Sequence, residues 1–334
     1  MTRDESADDA GTPARDESAV DSETPARDES ASTGLEATDG GSVSNATAAA
    51  GLQTDDATRH ATSDGVRATA ANTARVAVRE YRIAVRRRWA LGVAVLFALF
   101  SVALVFLGGS TVGPSRVPAV LASFAQLGVY LVPLAALALG FDTIVGADES
   151  GSLEMLLALP LSSTAVVVGK YAGRAVALAG GMLAGFAVGG ALLVRFAGVG
   201  VVGAYAGVAL AAVAAALAFL GVSVLASTLA SEKTHALGAA LAAWVWFVLV
   251  HDLVALGLVA TFDLPGAAVS AAVLANPADL FRVFVLRGVS TTAGGIAGVL
   301  ADTALTTPVL VAALAAWIVL PVAAATVAFR RRSV

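Results

Sequence analysis

The sequence lacks the side chains from which most redox and metal centres are built. Among its 334 residues there is no cysteine, and histidine and methionine occur three times each, Met1 included. Without thiols the chain can form neither a disulfide framework nor a thiolate metal site. So few histidines and methionines also provide no copper relay. We therefore predict no metal site and no cofactor bound by this chain.

Motifs of the common catalytic classes are absent as well. The chain contains no Gly-x-Ser-x-Gly, no His-Glu-x-x-His and no Gly-x-Gly-Asp, which argues against serine, zinc and intramembrane aspartyl proteases. A phosphate loop of the form Gly-x-x-x-x-Gly-Lys-Ser/Thr is also missing, so any nucleotide chemistry must come from another chain. We predict no catalytic residue and a protein that is not an enzyme.

Lysine is scarce, and the charges are unevenly distributed. Lysine occurs only as Lys170 and Lys233, and acids outnumber bases by 25 to 21, a balance typical of proteins adapted to high salt. Residues 1–75 hold 15 acids against 6 arginines, no aromatic residue, and the repeat TPARDESA at 12–19 and 24–31. Such a segment cannot bury enough apolar surface to offset its ordering entropy. We predict a disordered acidic tail over 1–75 and a membrane domain over 76–334.

The whole chain is 57% hydrophobic and 14% charged, and long apolar runs dominate its second part. Six stretches each have about the 20 residues that cross a hydrocarbon core of about 30 Å. Glycines such as Gly181 and Gly185 allow helix backbones to approach closely. We predict an all-α membrane protein with six transmembrane helices, at Trp89–Leu107, Phe124–Val145, Ala172–Val194, Val201–Ala226, Ala236–Ala260 and Pro308–Phe329.

The basic residues predict the orientation of these spans, because cytoplasmic loops carry an excess of lysine and arginine. Four arginines fall on one side of the spans, and eleven bases fall on the other. We predict that both termini are cytoplasmic and that the protein is a multi-pass protein of the cell membrane. The four are Arg116, Arg195, Arg282 and Arg287; the eleven are Arg79, Arg82, Arg86, Arg87, Arg88, Lys170, Arg174, Lys233, Arg330, Arg331 and Arg332.

Three ionisable residues lie within or near the predicted spans. Asp142, His251 and Asp252 are functional candidates on that ground, because charged groups are costly inside a membrane. Asp142, however, is three residues from the cytoplasmic end of its span, and His251-Asp252 lies in the outer part of the fifth span. Placement near an interface costs little, so we assign no site to them.

The segment between the second and third spans, residues 146–170, is unusually amphipathic for a connecting loop. It places Leu153, Leu156 and Leu157 at helical spacing beside acidic residues, and Pro160 interrupts it. A loop that only joins two spans needs no apolar face. We predict that this segment docks against another protein.

A second amphipathic segment, Val76–Arg88, precedes the first span. It reads VAVREYRIAVRRR, with an apolar stripe of Val78, Tyr81 and Val85 among arginines. This pattern is typical of a helix that lies along the membrane surface, although the arginines alone would also serve as a topology anchor. The carboxylate of Glu80 contributes nothing to topology, which favours a docking helix.

The longest predicted outer segment, about residues 261–307, contains ANPADLFRVFVLRG. Asn276 suits a helix cap, Pro277 the first helical position and Asp279 the first turn. A short apolar helix then runs to Gly288. We predict that it lies at the outer interface or dips back into the bundle.

The order and motifs of these segments resemble the ABC-2 type permeases over about residues 72–334. The most specific part resembles the family pattern E-x-x-x-G-[ST]-L-E-x-L-L-x-x-P-[LIV]-[ST]-x-x-x-[LIV]-x-x-K, with Glu149 one place nearer the glycine than usual. Residues 276–282, NPADLFR, resemble the outer segment of the subgroup that includes the nitrous-oxide-reductase maturation permeases. The matching positions of the first pattern are Glu149, Gly151, Ser152, Leu153, Glu154, Leu156, Leu157, Pro160, Leu161, Ser162 and Lys170.

The resemblance implies a two-permease, two-ATPase assembly in which a partner ATPase binds ATP and Mg²⁺. The second permease is another copy or a sister chain, an extracytoplasmic accessory protein is a further possible partner, and no nucleic acid is expected. Three groups of residues then receive roles by resemblance. They are the ATPase-coupling residues Asp148, Glu149, Gly151, Ser152, Leu153, Glu154, Leu156, Leu157, Pro160 and Lys170; the connecting-helix residues Arg79, Glu80, Tyr81 and Arg82; and the outer-segment residues Asn276, Pro277, Asp279, Phe281 and Arg282.

The substrate stays open at this stage. The subgroup resemblance favours a sulfur or copper-related species for metalloenzyme maturation, whereas the wider family also includes exporters of lipids, drugs and ions. A membrane scaffold or sensor that recruits a cytoplasmic partner is the alternative from another functional class.

Overall fold

The computed structural model describes residues 67–107, 116–159, 161–262, 264–287 and 305–331. Every regular element in these ranges is helical. Most of the predicted acidic tail with its repeat, and also Pro160, lie outside the described residues. The helices are α1 (67–86), α2 (Trp89–Leu107), α3 (Val117–Gly140), α4 (Val145–Glu149), α5 (Ser152–Leu157), α6 (Ser163–Ala197), α7 (Val202–Leu229), α8 (Lys233–Val245), α9 (His251–Thr261), α10 (Gly266–Leu274), α11 (Pro277–Arg287) and α12 (Thr307–Arg331).

Six helical stretches of the described chain are long and apolar enough to cross a membrane. They are α2, α3 with its extension to Glu149, α6, α7, α8 with α9, and α12. A π-helical turn, Trp246–Val250, joins α8 to α9. The predicted all-α class with six spans is thus confirmed.

For two of the spans, the helix in the structure begins earlier in the sequence than predicted. The second helix begins at Val117, seven residues before the predicted Phe124, with a proline in its first turn, where the missing N–H costs nothing. The third begins at Ser163 rather than Ala172, because the Ser162 hydroxyl accepts a hydrogen bond from the Ala165 N–H at 3.2 Å and caps it. Lys170 therefore lies inside α6.

The helix before the first span is longer than the sequence suggested. It begins at residue 67, so the end of the segment predicted as tail is helical. It ends because Arg88 adopts φ 58°, a left-handed conformation that a non-glycine residue rarely takes. The chain changes direction there and enters α2.

The core of the bundle forms where α2 packs against α6 and where α7 packs against α3 and α12. Small residues make the first contact close: a Cβ at Gly185 would lie 2.6 Å from the Phe97 Cβ and 2.7 Å from the Ala94 carbonyl oxygen. The predicted role of glycine in this span is confirmed at that position. Aromatic rings fill the same region, with Phe97 and Phe186 centroids 5.3 Å apart.

The outer segment forms a bent pair of helices. α10 and α11 meet at an angle of 111° and together are apolar enough to count as a broken span or a re-entrant loop. α11 packs against α3 and α7, and Phe281 is buried beside Gly128. Of the two predicted placements, the structure shows the helix that turns back into the bundle.

Candidate coupling site

The segment between α3 and α6 folds into two short helices, α4 and α5, at one end of the bundle. Between them Gly151 adopts φ 66°, which costs an L-residue about 1–2 kcal/mol. Nothing among the described residues lies within 4 Å of a Cβ built at this position. The conformation, rather than crowding, is therefore the reason for a glycine here.

The start of α4 is fixed to α7. The N–H groups of Ile144 and Val145 both donate to the Ser227 hydroxyl, at 3.0 and 3.2 Å. These donors lie at the beginning of a helix, where backbone N–H groups have no partner within the helix itself. The buried hydroxyl of Ser227 therefore attaches the start of the coupling segment to α7.

Two leucines of α5 point inward rather than outward. Leu153 and Leu156 are only 2% and 7% exposed, and Leu153 packs with Val166 of α6 and Phe329 of α12. Leu157 is half-buried against the same cluster. The sequence predicted these leucines as a docking face, whereas the structure places Leu153 and Leu156 in the interior of the chain and leaves Leu157 half-buried. Apolar residues at the ends of α6, α7 and α12 cover Leu153 and part of Leu157 within the chain itself.

A different part of α5 and its end is exposed. Met155, within α5, is 78% exposed, and Leu159, two residues beyond the end of α5, is 53% exposed. Glu154 is exposed beside them. Met155 and Leu159 stand at the unspecified positions of the family pattern, so the motif gave no signal for them. Only the orientation of α5 on the bundle distinguishes them from their leucine neighbours.

Glu149 of α4 contacts another helix of the chain. Glu149, predicted to meet a partner, accepts a hydrogen bond from the Lys233 N–H at 2.7 Å and lies 3.7 Å from its ammonium. It thus caps the first turn of α8, where negative charge is favourable. The other predicted acidic residue of α4, Asp148, is exposed. The structure therefore uses Glu149 within the chain, to link α4 to the fifth span.

A buried ion network joins α1 to α6 and α3. Glu80, 4% exposed, accepts hydrogen bonds from Lys170 at 3.4 Å and from Arg174 at 3.2 Å. Arg174 also donates to Asp142 and to the Leu139 carbonyl, at the end of α3. Positive charge is favourable at that end of a helix. Lys170, predicted as a coupling residue, is 3% exposed and belongs to this network instead.

The network forms because α1 and α6 are in close contact. A Cβ at Gly173 would collide with the Ala77 carbonyl oxygen and lie 2.9 Å from the Tyr81 nitrogen. The face of α1 that meets α6 contains Val76, Glu80 and Ala84. Arg79, Tyr81 and Arg82 lie on its exposed side, together with the predicted apolar stripe of Val78, Tyr81 and Val85.

The predicted outer residues come together on α11. The side-chain oxygen of Asn276, Oδ1, accepts from the Ala278 N–H at 2.9 Å, which is the predicted cap. Asp279 lies in the first turn that follows Pro277, and Arg282 donates to it at 3.1 Å. Arg282 also donates to Asp252 at 2.9 Å. This second contact, between α9 and α11, was not foreseen from the sequence.

Comparison with known proteins identifies the family of the chain. Residues 74–334 match the family model described as ABC-2 family transporter protein. A probable ABC transporter permease protein NosY from Stutzerimonas stutzeri is 35% identical over 273 residues, which cover 77% of this chain and 97% of that protein. The protein of the same name from Pseudomonas aeruginosa is 34% identical over 269 residues, covering 78% and 98%.

Proposed function

The chain belongs to the ABC-2 family of ABC transporter permeases, and from this premise we propose that it is the membrane subunit of an ATP-driven transporter. ATP and Mg²⁺ bind to a separate ATPase, in agreement with the absence of a phosphate loop from this sequence. The permease pairs with a second copy or a sister chain in the cell membrane. The excess of bases on one side of the spans supports cytoplasmic termini.

The exposed apolar pair Met155 and Leu159 carries the proposal. This pair projects from a segment that the chain itself holds through Ser227 and Leu153. A short protrusion with an apolar outer side and a firmly packed inner side can transmit a push from a partner to the spans. The ATPase therefore contacts Met155 and Leu159, while Leu153 and Leu156 support them from behind.

The charged residues around this pair complete the contact. Asp148 and Glu154 are exposed near it and meet basic groups of the ATPase, which affects the rate and specificity of association more than its strength. Arg79, Tyr81 and Arg82 on the exposed side of α1 form a second contact surface. α1 then has the role of a connecting helix beside the coupling segment.

The experiment is the double substitution Met155→Asp with Leu159→Asp. We expect the variant to insert into the membrane normally and to lose both co-purification with its partner ABC ATPase and stimulated ATP hydrolysis. The matched control, Met155→Leu with Leu159→Met, keeps an apolar surface of similar size and should retain both. Undiminished co-purification of the aspartate variant would refute docking at this surface. If the wild-type chain co-purifies with the ATPase but does not stimulate ATP hydrolysis, the result would favour a scaffold over a transporter.

For the substrate we propose a sulfur or copper-related species used in metalloenzyme maturation, with an extracytoplasmic accessory protein as a further partner. The resemblance of NPADLFR at 276–282 to the maturation permeases supports this choice. Stimulation of ATP hydrolysis in proteoliposomes by such species, compared with lipids, drugs and simple ions, tests it. A response to a lipid or drug alone would contradict it.

A further inference from the structure

A cavity of about 240 Å³ lies between α9, α10 and α11, away from the coupling site. Most of its wall is apolar. In one region of the wall four ionisable side chains come together, from His251, Asp252, Asp279 and Arg282. Polar groups gathered in a largely apolar cavity are candidates for binding a ligand.

The distances within this cluster suit a metal ion. His251, Asp252 and Asp279 each offer a ligand atom, and these atoms lie within 4.8 Å of one another. His251 Nδ1 and Asp279 Oδ2 are 3.1 Å apart. With bonds of about 2.1 Å, neighbouring ligands of one ion lie about 3.0–3.4 Å apart, so this pair is already spaced for chelation. Asp252, the most exposed of the three with 32% of its side chain accessible, needs only a small movement to join them.

The hydrogen bonds around Asn276 leave the imidazole nitrogen available. The Asn276 amide nitrogen lies 2.8 Å from the Phe247 carbonyl oxygen and 3.0 Å from both His251 Nδ1 and Asp279 Oδ2. An amide has two protons, so it cannot satisfy three acceptors. With the protons given to Phe247 and Asp279, the lone pair of His251 Nδ1 is free for an ion. Asn276 then orients the carboxylate, as outer hydrogen bonds commonly do at metal sites.

The charge of the cluster also favours a cation. Two carboxyl groups face one guanidinium, so the cluster has a net charge of −1 once both carboxyl groups are ionised and the imidazole is neutral. Arg282 donates to Oδ1 of Asp279 and to Oδ2 of Asp252. Oδ2 of Asp279 and Oδ1 of Asp252 therefore remain free of the guanidinium. Arg282 holds the carboxylates in place while its charge weakens the affinity of a cation, so we expect moderate rather than very tight binding.

We propose that His251, Asp252 and Asp279 bind a divalent transition-metal ion such as Zn²⁺, and that the ion links α9 to α11 at the wall of this cavity. One imidazole nitrogen with two carboxylate oxygens suits such ions, whereas Cu(I) prefers thiolate or thioether sulfur. Three protein ligands leave a fourth position of a tetrahedral ion open toward the cavity. The sequence predicted no metal site, because Asp279 lies on a different helix from His251 and Asp252.

The test uses the full-length chain in lipid nanodiscs, titrated with Zn²⁺ against a chelating dye. We expect one Zn²⁺ per chain, bound saturably, and a loss of at least about tenfold in affinity in His251→Gln and in Asp252→Asn. Zn²⁺ should also raise the thermal unfolding midpoint of the wild type but not of Asp252→Asn, because an ion that binds only the folded state stabilises it. The ATPase takes no part, so this result is independent of the proposed function.

His235→Gln is the matched control, since His235 is exposed on α8 and lies outside the cluster. It should bind Zn²⁺ as the wild type does. Equal Zn²⁺ binding by the wild type, His251→Gln and Asp252→Asn would overturn the proposal, and so would an equal loss in His235→Gln. Should His251→Gln unfold without metal, Asp252→Asn decides the outcome, because Asp252 is the more exposed ligand.

Discussion

The contact between α1 and α6 can be loosened by one methyl group, through Gly173→Ala. A Cβ at this position would lie 2.7 Å from the Glu80 Cβ and 2.9 Å from the Tyr81 nitrogen, and it would collide with the Ala77 carbonyl oxygen. Two of these three contacts are with backbone atoms, which no rotamer change can move. Because carbon atoms pack at about 3.5–4.0 Å, α1 must shift away from α6 by about 1 Å.

This shift weakens the ion network in addition to straining the packing. The Glu80–Arg174 distance of 3.2 Å would grow to about 4 Å, beyond hydrogen-bond range. Overpacking costs about 1–3 kcal/mol, and a lost hydrogen bond to a charged group costs about 1.5–3 kcal/mol. Alanine gains back about 1 kcal/mol over glycine inside a helix. The net effect is a destabilisation of α1 docking by roughly 2–4 kcal/mol.

Limited trypsin digestion measures this effect, because Arg79 and Arg82 lie on α1 and cleavage requires the helix to open. A loss of 2 kcal/mol should accelerate cleavage there about 30-fold when opening is in equilibrium. Gly180→Ala is the control on the same helix, since no described atom lies within 4 Å of its Cβ position. It should be neutral or slightly stabilising. Equal cleavage rates for the two variants would refute the close-contact argument.

The remaining predictions concern the ion network and the coupling turn. Glu80→Gln leaves Lys170 buried without a counter-charge, which costs about 3–5 kcal/mol and should lower the thermal midpoint; a midpoint equal to that of the wild type would show that the network does not stabilise the fold. Gly151→Ala should cost about 1–2 kcal/mol through its left-handed backbone and weaken ATPase binding in co-purification. Gly151→Asn, which tolerates this conformation, should retain more binding; equal loss in both would mean that a side chain, and not the backbone, causes the defect.

The spans were predictable because a membrane helix is a local property of about 20 apolar residues. The start of α6 was not, because Lys170 was counted among the bases outside the spans and the predicted span therefore began after it, at Ala172. Its charge is compensated by Glu80, ninety residues away in the sequence, and Ser162 provides the cap. The hydropathy of a sequence segment includes the cost of burying the Lys170 charge. It does not include the compensating charge of Glu80, which lies far away in the sequence.

The coupling segment shows a different limit of sequence reasoning. Its apolar spacing correctly indicated a surface that must be covered, but a helical pattern does not say what covers it. Leu153 is covered by α6 and α12, whereas Met155 is left exposed. The side of α5 that stays exposed is therefore set by tertiary packing, and the family motif includes the buried Leu153 but not the exposed Met155.

The contacts of the coupling segment also determine which spans a push can reach. If a partner ATPase pushes on Met155 and Leu159, as we propose, the force passes through α5 to the buried cluster of Leu153, which includes residues of α6, α7 and α12. It passes through α4 to Ser227 of α7 and, by way of Glu149, to the start of the fifth span. That span is the least packed of the six, with 6% of its apolar window buried within the chain. Because few contacts inside the chain oppose its movement, we infer that the fifth span moves furthest when the ATPases close.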